Sequence, residues 1–145
     1  MKSCEESVRE FHEKYGHLIT SNPTVQIPDA VKQLRMKLIL EEYEELSSAI
    51  QSNDLVEIAD GCADLVYVIV GTCISYGIPF DRVFREVHNS NMTKTAIKAE
   101  DGQKYGTKTP KGPDYVAPEI DFLLRYPKMF TFLEHKERRT RWVRL

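Results

Sequence analysis

Three residues, Ser52-Asn53-Asp54, separate two long stretches of helical periodicity, and so short a link leaves a chain few ways to fold. The first stretch opens at Pro28, a first-turn residue, and runs to about Gln51. The second is capped by Asp54, with Glu57 completing a box pattern, and meets no breaker until Tyr76-Gly77. Helices joined this tightly pack antiparallel as a hairpin. Shorter helices flank the pair. Ser3 and Glu6 form a capping box for one whose Val8, Phe11 and Tyr15 share a face until Gly16, and Pro79 opens another through FDRVFREVHNS. No segment alternates with period two, so the expected fold class is all-α, a bundle built around the hairpin.

A length of 145 residues fits a single domain spanning 1–145. Within it, 92–118 is rich in Gly, Pro and Lys and reads as a long loop, and 119–145 reads as a helical extension ending in the basic KERRTRWVRL. The net charge of −2 predicts no general attraction to nucleic acid or to an anionic membrane, and no nucleic-acid partner is expected. Cys4, Cys62 and Cys73 are odd in number, and two of them lie in apolar helix, which fits a reducing cytoplasm. The longest apolar run, Leu65 to Ile74, is half of the ~20 residues a span requires. The start MKSCEESVREF is too acidic for a signal peptide, so the expectation is a cytoplasmic chain with no membrane partner.

The hairpin carries acids where core residues belong. At about 100° per residue, Val31, Leu34, Leu38, Glu42, Glu45 and Ala49 fall on one stripe of the first long helix, with Glu41 at its edge and Glu44 pointing away. On the second, Glu57, Asp60, Asp64, Val68 and Gly71 align. Facing stripes would gather Glu41, Glu42, Glu45, Glu57, Asp60 and Asp64 around one spot. A solvated acidic face costs little, about 0.2–0.5 kcal/mol for each like-charged pair. Carboxylates drawn out of water need protons, a basic partner or a metal ion. Oxygen donors without histidine or cysteine favour magnesium, with manganese next. A di-iron centre would want Glu-x-x-His, and none of His12, His17, His88 or His135 has a glutamate three residues before it.

The blocks LILEEYEEL, EIADGCADLVYVIVGT followed by YGI, and VFREVHNSNMTK together resemble the all-α nucleoside triphosphate pyrophosphatases of the MazG and phosphoribosyl-ATP pyrophosphohydrolase type. The likeness spans about Ala30 to Lys94, and DGQKYGTKTPKGPDYVAP is similar to the tail of a phage and bacterial Cof-like subgroup. The resemblance implies a MazG-like bundle and magnesium-dependent hydrolysis between the α- and β-phosphates of a (deoxy)nucleoside triphosphate, giving monophosphate and pyrophosphate. It places Glu42, Glu45 and Asp64 as metal ligands, with Glu41 orienting or deprotonating the attacking water. One departure stands out: the second block is commonly Glu-x-x-Asp, and Gly61 occupies the glutamate position. Asp60 or Glu57 would then supply the missing oxygen, and the number of metal ions is left open. Phosphoribosyl-ATP as substrate, or a helical binding module that has lost turnover, are the alternatives.

Lys94, with Asn91 beside it, is either an ordinary lysine at a helix end or a ligand for phosphate oxygens that metal does not reach. Lys104, Lys108 and Lys111 read either as a lid over the polyphosphate or as part of a linker, with no Walker-type GxxxxGK[ST] present. Tyr43 and Tyr67 read as core or subunit contacts, or as surfaces for stacking a base. The stretch Cys62 to Ile74 is apolar nearly all round, more than one layer of neighbouring helices covers, so a homodimer or homotetramer is expected.

Overall fold

The computed structural model describes residues 2–95 and 108–126. All regular structure among them is helical, in the order α1 (Cys4–Tyr15), α2 (Asp29–Ser52), α3 (Leu55–Ser75), α4 (Phe80–Asn91) and α5 (Ile120–Arg125). The chain forms two compact units, Met1–Asp81 and Arg82–Leu145, with the boundary inside α4.

In the first unit most predicted stops and starts hold, but Pro28 stands at the N-cap of α2 rather than in its first turn, and Glu57 closes no box with Asp54, whose N–H donates to Ala49 O instead. Ser3 and Glu6 close a reciprocal capping box on α1, and Gly16 ends that helix at φ 71°. Asn53, at φ 56°, turns the chain out of α2 in the left-handed region that asparagine tolerates. Asp54 then accepts from the amides of Val56 and Glu57, satisfying two orphan donors of α3. The two-residue turn folds α3 back along α2, the most extensive helix pairing among the described residues, and α1 packs on α3.

Val8, Val70 and Ile74 form the core, with Ile19 and Phe80 packed against it. Burying each such side chain contributes roughly 1.5–3 kcal/mol. The loop after α1 closes over the end of α3: Thr20 N donates to Ile74 O at 3.1 Å and Thr20 Oγ1 to Ser75 O at 2.7 Å. These bonds satisfy carbonyls that a helix terminus otherwise leaves bare. Gly77 lies beneath this loop, where a Cβ would collide with Asn22 O. Glu5 of α1 accepts from Asp81 N at 3.1 Å and so caps the start of α4.

The buried face of α1 differs from the expected one. Val8 and His12 are buried, whereas Phe11 and Tyr15 are 37% and 58% exposed. Phe11 instead anchors an aromatic group at the edge, its ring centroid 4.6 Å from Tyr15, 5.5 Å from His17 and 5.6 Å from Tyr67. On α2 the inward line includes Arg35, only 6% exposed, while Leu34 reaches solvent.

The apolar α3 is far less covered than its composition demands. Its 21 residues contain a window of mean hydropathy 1.5 of which 28% is buried, long and apolar enough by those measures alone to cross a bilayer. The contiguous apolar run read from sequence is shorter because that reading stopped at Asp64, whereas the helix continues through it.

In the second unit, Ser90 and Leu123 are buried. The segment 108–118 has no helix and is fastened to the end of α4 by side-chain and main-chain hydrogen bonds. The rest of the long loop, 96–107, and the basic end, 127–145, lie outside the described residues, and Lys104 falls there.

Candidate functional site

Glu42 sits midway along α2, half-buried. Burial pushes its carboxyl above the usual range, and the negative charges of Asp64, Glu45, Glu41 and Asp60 push it further. The antiparallel hairpin therefore brings four of the other five predicted carboxylates within electrostatic reach of Glu42. Glu57, in the exposed first turn of α3, is not among the neighbours acting on Glu42. Glu45, Asp60 and Asp64 are exposed, and Glu41 is partly so. Lys37 pairs with Glu41 at 3.3 Å across one helical turn, a contact that holds this carboxylate at the edge of the group.

Gly61 explains how the acids come so close. A Cβ there would lie 3.1 Å from Leu46 Cβ and 3.2 Å from Leu46 Cα. The glycine lets α3 press its backbone against α2 between Asp60 and Asp64, beside Glu45. What reads in sequence as a missing ligand is a point of helix contact.

The donors are oxygen throughout, which suits a hard cation. Among the described residues no three His, Cys, Asp or Glu side chains stand close enough to hold an ion as they are. The match to a divalent cation lies in donor chemistry and in the crowding of negative charge around Glu42, which a cation relieves.

Sequence reasoning missed a second charged layer on the same hairpin. The Arg35 guanidinium and the His12 ring both approach Gly71, where a Cβ would meet Arg35 Nη1 at 2.8 Å and His12 Nε2 at 2.9 Å. His12 Nδ1 lies 3.0 Å from Leu18 O, a geometry for donation that leaves Nε2 as the lone-pair nitrogen of the neutral ring. Burial lowers the His12 pKa, and although the bond to Leu18 O opposes this, the charges of Arg35, His17 and Arg9 lower it further. Arg35 Nε is buried without a hydrogen-bond partner among the described residues. The signal was present in the sequence: Arg35 falls between Val31 and Leu38 on the stripe that holds Glu42.

The other predicted residues lie in the second unit. Asn91 is the last residue of α4, and its carbonyl accepts from Lys94 N at 3.1 Å. Lys108 is exposed. Lys111 Nζ sits 4.6 Å from the centroid of the Tyr115 ring. In the first unit Tyr43 is 59% exposed and Tyr67 38%, so neither is a core residue of the single chain.

The sequence profile of a family described as phosphoribosyl-ATP pyrophosphohydrolase matches residues 8–91, taking in α2, α3, α4 and every predicted acid. Among curated proteins, "Uncharacterized protein L479" of Acanthamoeba polyphaga mimivirus is 39% identical over 80 residues, 52% of this chain and 32% of that protein. The chain thus spans about a third of the length of this curated relative.

Proposed function

This chain belongs to the phosphoribosyl-ATP pyrophosphohydrolase family, and we infer that it hydrolyses a nucleoside triphosphate between the α- and β-phosphates, releasing monophosphate and pyrophosphate. The observation that carries this reading is the half-buried Glu42, crowded by Asp64, Glu45, Glu41 and Asp60 on a hairpin that gives it no basic partner of its own. Such crowding is costly in a resting protein and useful in one that binds cations.

Glu42, Glu45, Asp60 and Asp64 would hold magnesium, or manganese in its place, with side chains near enough to solvent to turn toward a shared ion. A magnesium ion bound there supplies charge neutralisation for phosphate oxygens. Glu41, at the edge of the group and tied to Lys37, is the residue that accepts the proton of the attacking water. Water oxygen bonds to the α-phosphorus, the bridging α–β oxygen bond breaks, and pyrophosphate leaves with the electron pair. Glu57 is a reserve donor at the start of α3 rather than a member of the group.

The favoured substrate is a canonical or modified (deoxy)nucleoside triphosphate. Phosphoribosyl-ATP, named in the family's description, is the second reading, because the same bond is cleaved. The uncovered apolar surface of α3 supports a homodimer or homotetramer. Asp60 and Asp64 argue against reading that surface as a membrane span, since each would be expensive inside a bilayer.

The deciding experiment is pyrophosphate release from a panel of canonical and modified triphosphates and phosphoribosyl-ATP, with magnesium and with manganese. Wild type is expected to turn over at least one of them. Glu42→Gln and Asp64→Asn are expected to abolish release while circular dichroism stays helical. A helical binding module would release nothing from any substrate.

A further inference from the structure

The hairpin has a second side that the rest of the first unit leaves bare. On α2, Met36, Leu40, Tyr43, Ser47 and Ile50 follow one another in alternating steps of four and three residues. The four large side chains of that line are each more than half exposed. On α3 the same alternation joins Leu55, Ala59, Cys62, Val66, Ile69 and Cys73, and all but Cys73 are exposed. None of these positions carries a charge. Steps of four and three average 3.5 residues, the repeat with which helices interlock side by side.

Both lines face the same way. Around the contact of Leu46 with Gly61, each lies roughly a quarter turn to one side at about 100° per residue, whereas Glu42, Glu45, Asp60 and Asp64 lie to the other. In antiparallel helices equal rotations away from the line of contact point to the same side of the pair. The hairpin is therefore acidic on one side and apolar on the other. Within the first unit α1 packs on α3 near Gly71 and Ile74, round toward the acids, and no helix of that unit crosses the apolar side. The two lines run about 21 and 27 Å along axes about 8–10 Å apart, a face on the order of 400 Å², the size at which an exposed apolar patch marks an interaction site.

The pattern of this face selects a second copy of the chain as its occupant. Two antiparallel helices with 3.5-residue lines are complementary to themselves: a two-fold axis sets the ridges of one hairpin into the grooves of the other and closes a four-helix core. Small Ala59 and Cys62 stand between Leu55 and Val66, giving the recesses that a partner's larger side chains fill. A bilayer surface would instead favour lysine and arginine along the rim. The rim beside the α2 line reads Gln33, Lys37, Glu44 and Gln51, one base and one acid.

We propose that the apolar side of the α2–α3 hairpin docks on the same side of a second copy, with the acidic side of each hairpin turned away from the contact. The proposal rests on the self-association inferred above and deepens it, moving the contact from α3 alone to a surface that takes in the α2 line from Met36 to Ile50.

The test uses the full chain and its own thiols. Cys4 and Cys62 are both exposed in the single chain. Alkylation is followed site by site by mass spectrometry, in wild type and in Leu40→Lys and Ile69→Lys. Both substitutions fall at exposed positions, where lysine suits a helix, so circular dichroism should stay helical. Each variant should sediment near 16.8 kDa, whereas wild type sediments at a multiple of it. Cys62 is expected to react about tenfold more slowly in wild type than in Leu40→Lys, because the partner covers it, while Cys4 reacts alike in both. Val25→Lys, at an exposed apolar residue of the loop before α2, should leave mass and Cys62 rate unchanged.

A Leu40→Lys protein with the wild-type mass and Cys62 rate would overturn the proposal and leave self-association standing through another surface. Wild type at 16.8 kDa would overturn both. Cosedimentation of wild type with vesicles of neutral or anionic phospholipid would give the face to a bilayer and overturn the proposal as well. Hydrolysis is read separately by pyrophosphate release, so none of these failures is mistaken for loss of the enzyme reading.

Discussion

Gly61→Ala separates a helix-contact glycine from a merely absent ligand, because helix propensity and packing pull the result in opposite directions. In an isolated helix the alanine gains about 0.8–1.0 kcal/mol over glycine. Here its Cβ would stand 3.1, 3.2 and 3.4 Å from Leu46 Cβ, Cα and N. Carbon contacts are most favourable at about 3.5–4.0 Å. Two of the three obstructing atoms are main chain, so no side-chain rotation relieves them, and α3 must move off α2 by some tenths of an ångström. Overpacking of this kind costs about 1–3 kcal/mol. The difference leaves Gly61→Ala less stable by roughly 1 kcal/mol, read as a lower urea midpoint at unchanged slope.

Ala59→Gly, at an exposed position of the same helix, supplies the control. It should lose about 1 kcal/mol from propensity alone. In Gly61→Ala, pyrophosphate release should fall together with stability, since Asp60 and Asp64 are carried away from Glu42 and Glu45. Gly61→Glu, which restores the residue common at this position in the resembling family, should be worse on both counts rather than gain a metal ligand. A Gly61→Ala protein about 1 kcal/mol more stable than wild type, with full activity, would show that propensity wins and that the helices do not touch at this point.

Three further outcomes follow from the same geometry. The Glu42 pKa is raised in the fold, so its favourable contribution is complete below about pH 4.3, the unfolded value, and is lost as pH rises through the folded one. Without divalent cation at pH 7, Glu42→Gln should therefore melt above wild type, and magnesium should raise the melting temperature of wild type more than that of the variant. His12 has a lowered pKa, so its contribution is complete above about pH 6.5 and is lost as pH falls toward the folded value. Its ring faces Arg35, His17 and Arg9, and denaturation from pH 7 to 5 should show a shallower loss for His12→Gln than for wild type. Val66 is 44% exposed on α3. Sedimentation should find wild type at a multiple of 16.8 kDa and Val66→Asp shifted toward that mass.

The hairpin was legible because its punctuation is local. Asp54 bonds amides two and three residues on, and Gly16 and Gly77 take positive φ within the turns they end. Such choices are made by a few neighbouring residues and can be read from them. The rotation of α1 could not be read this way. Val8 with His12 and Phe11 with Tyr15 are both pairs at i, i+4, and the choice between them depends on what α3 offers at Gly71 and Tyr67. A histidine fills the buried position because its Nδ1 can bond Leu18 O, a partner set by the path of the following loop.

The two α3 glycines that sequence reading took for a lost ligand and a stripe residue lie on either side of Asp64. Down α2 from Leu46 to Glu42 to Arg35, the facing positions on α3 run from Gly61 to Asp64 to Gly71. The acidic and basic layers are seven residues apart on each helix, about 10 Å along the seam. Each glycine lets the opposing helix or its side chains come closer than an alanine would, one against the Leu46 backbone and the other against the Arg35 and His12 side chains. A seam drawn tight at both ends explains why Glu42 is desolvated on so small a hairpin, and why four other carboxylates stay close enough to raise its pKa. It also ranks the perturbations. At Gly71 the obstructing atoms are the ends of side chains, which can swing aside, so Gly71→Ala should disturb the His12 pH response first and hydrolysis less than Gly61→Ala, where main chain blocks the way. The reverse order, with hydrolysis lost at Gly71 and spared at Gly61, would mean that the acids are positioned from the Arg35 layer and not by the contact at Leu46.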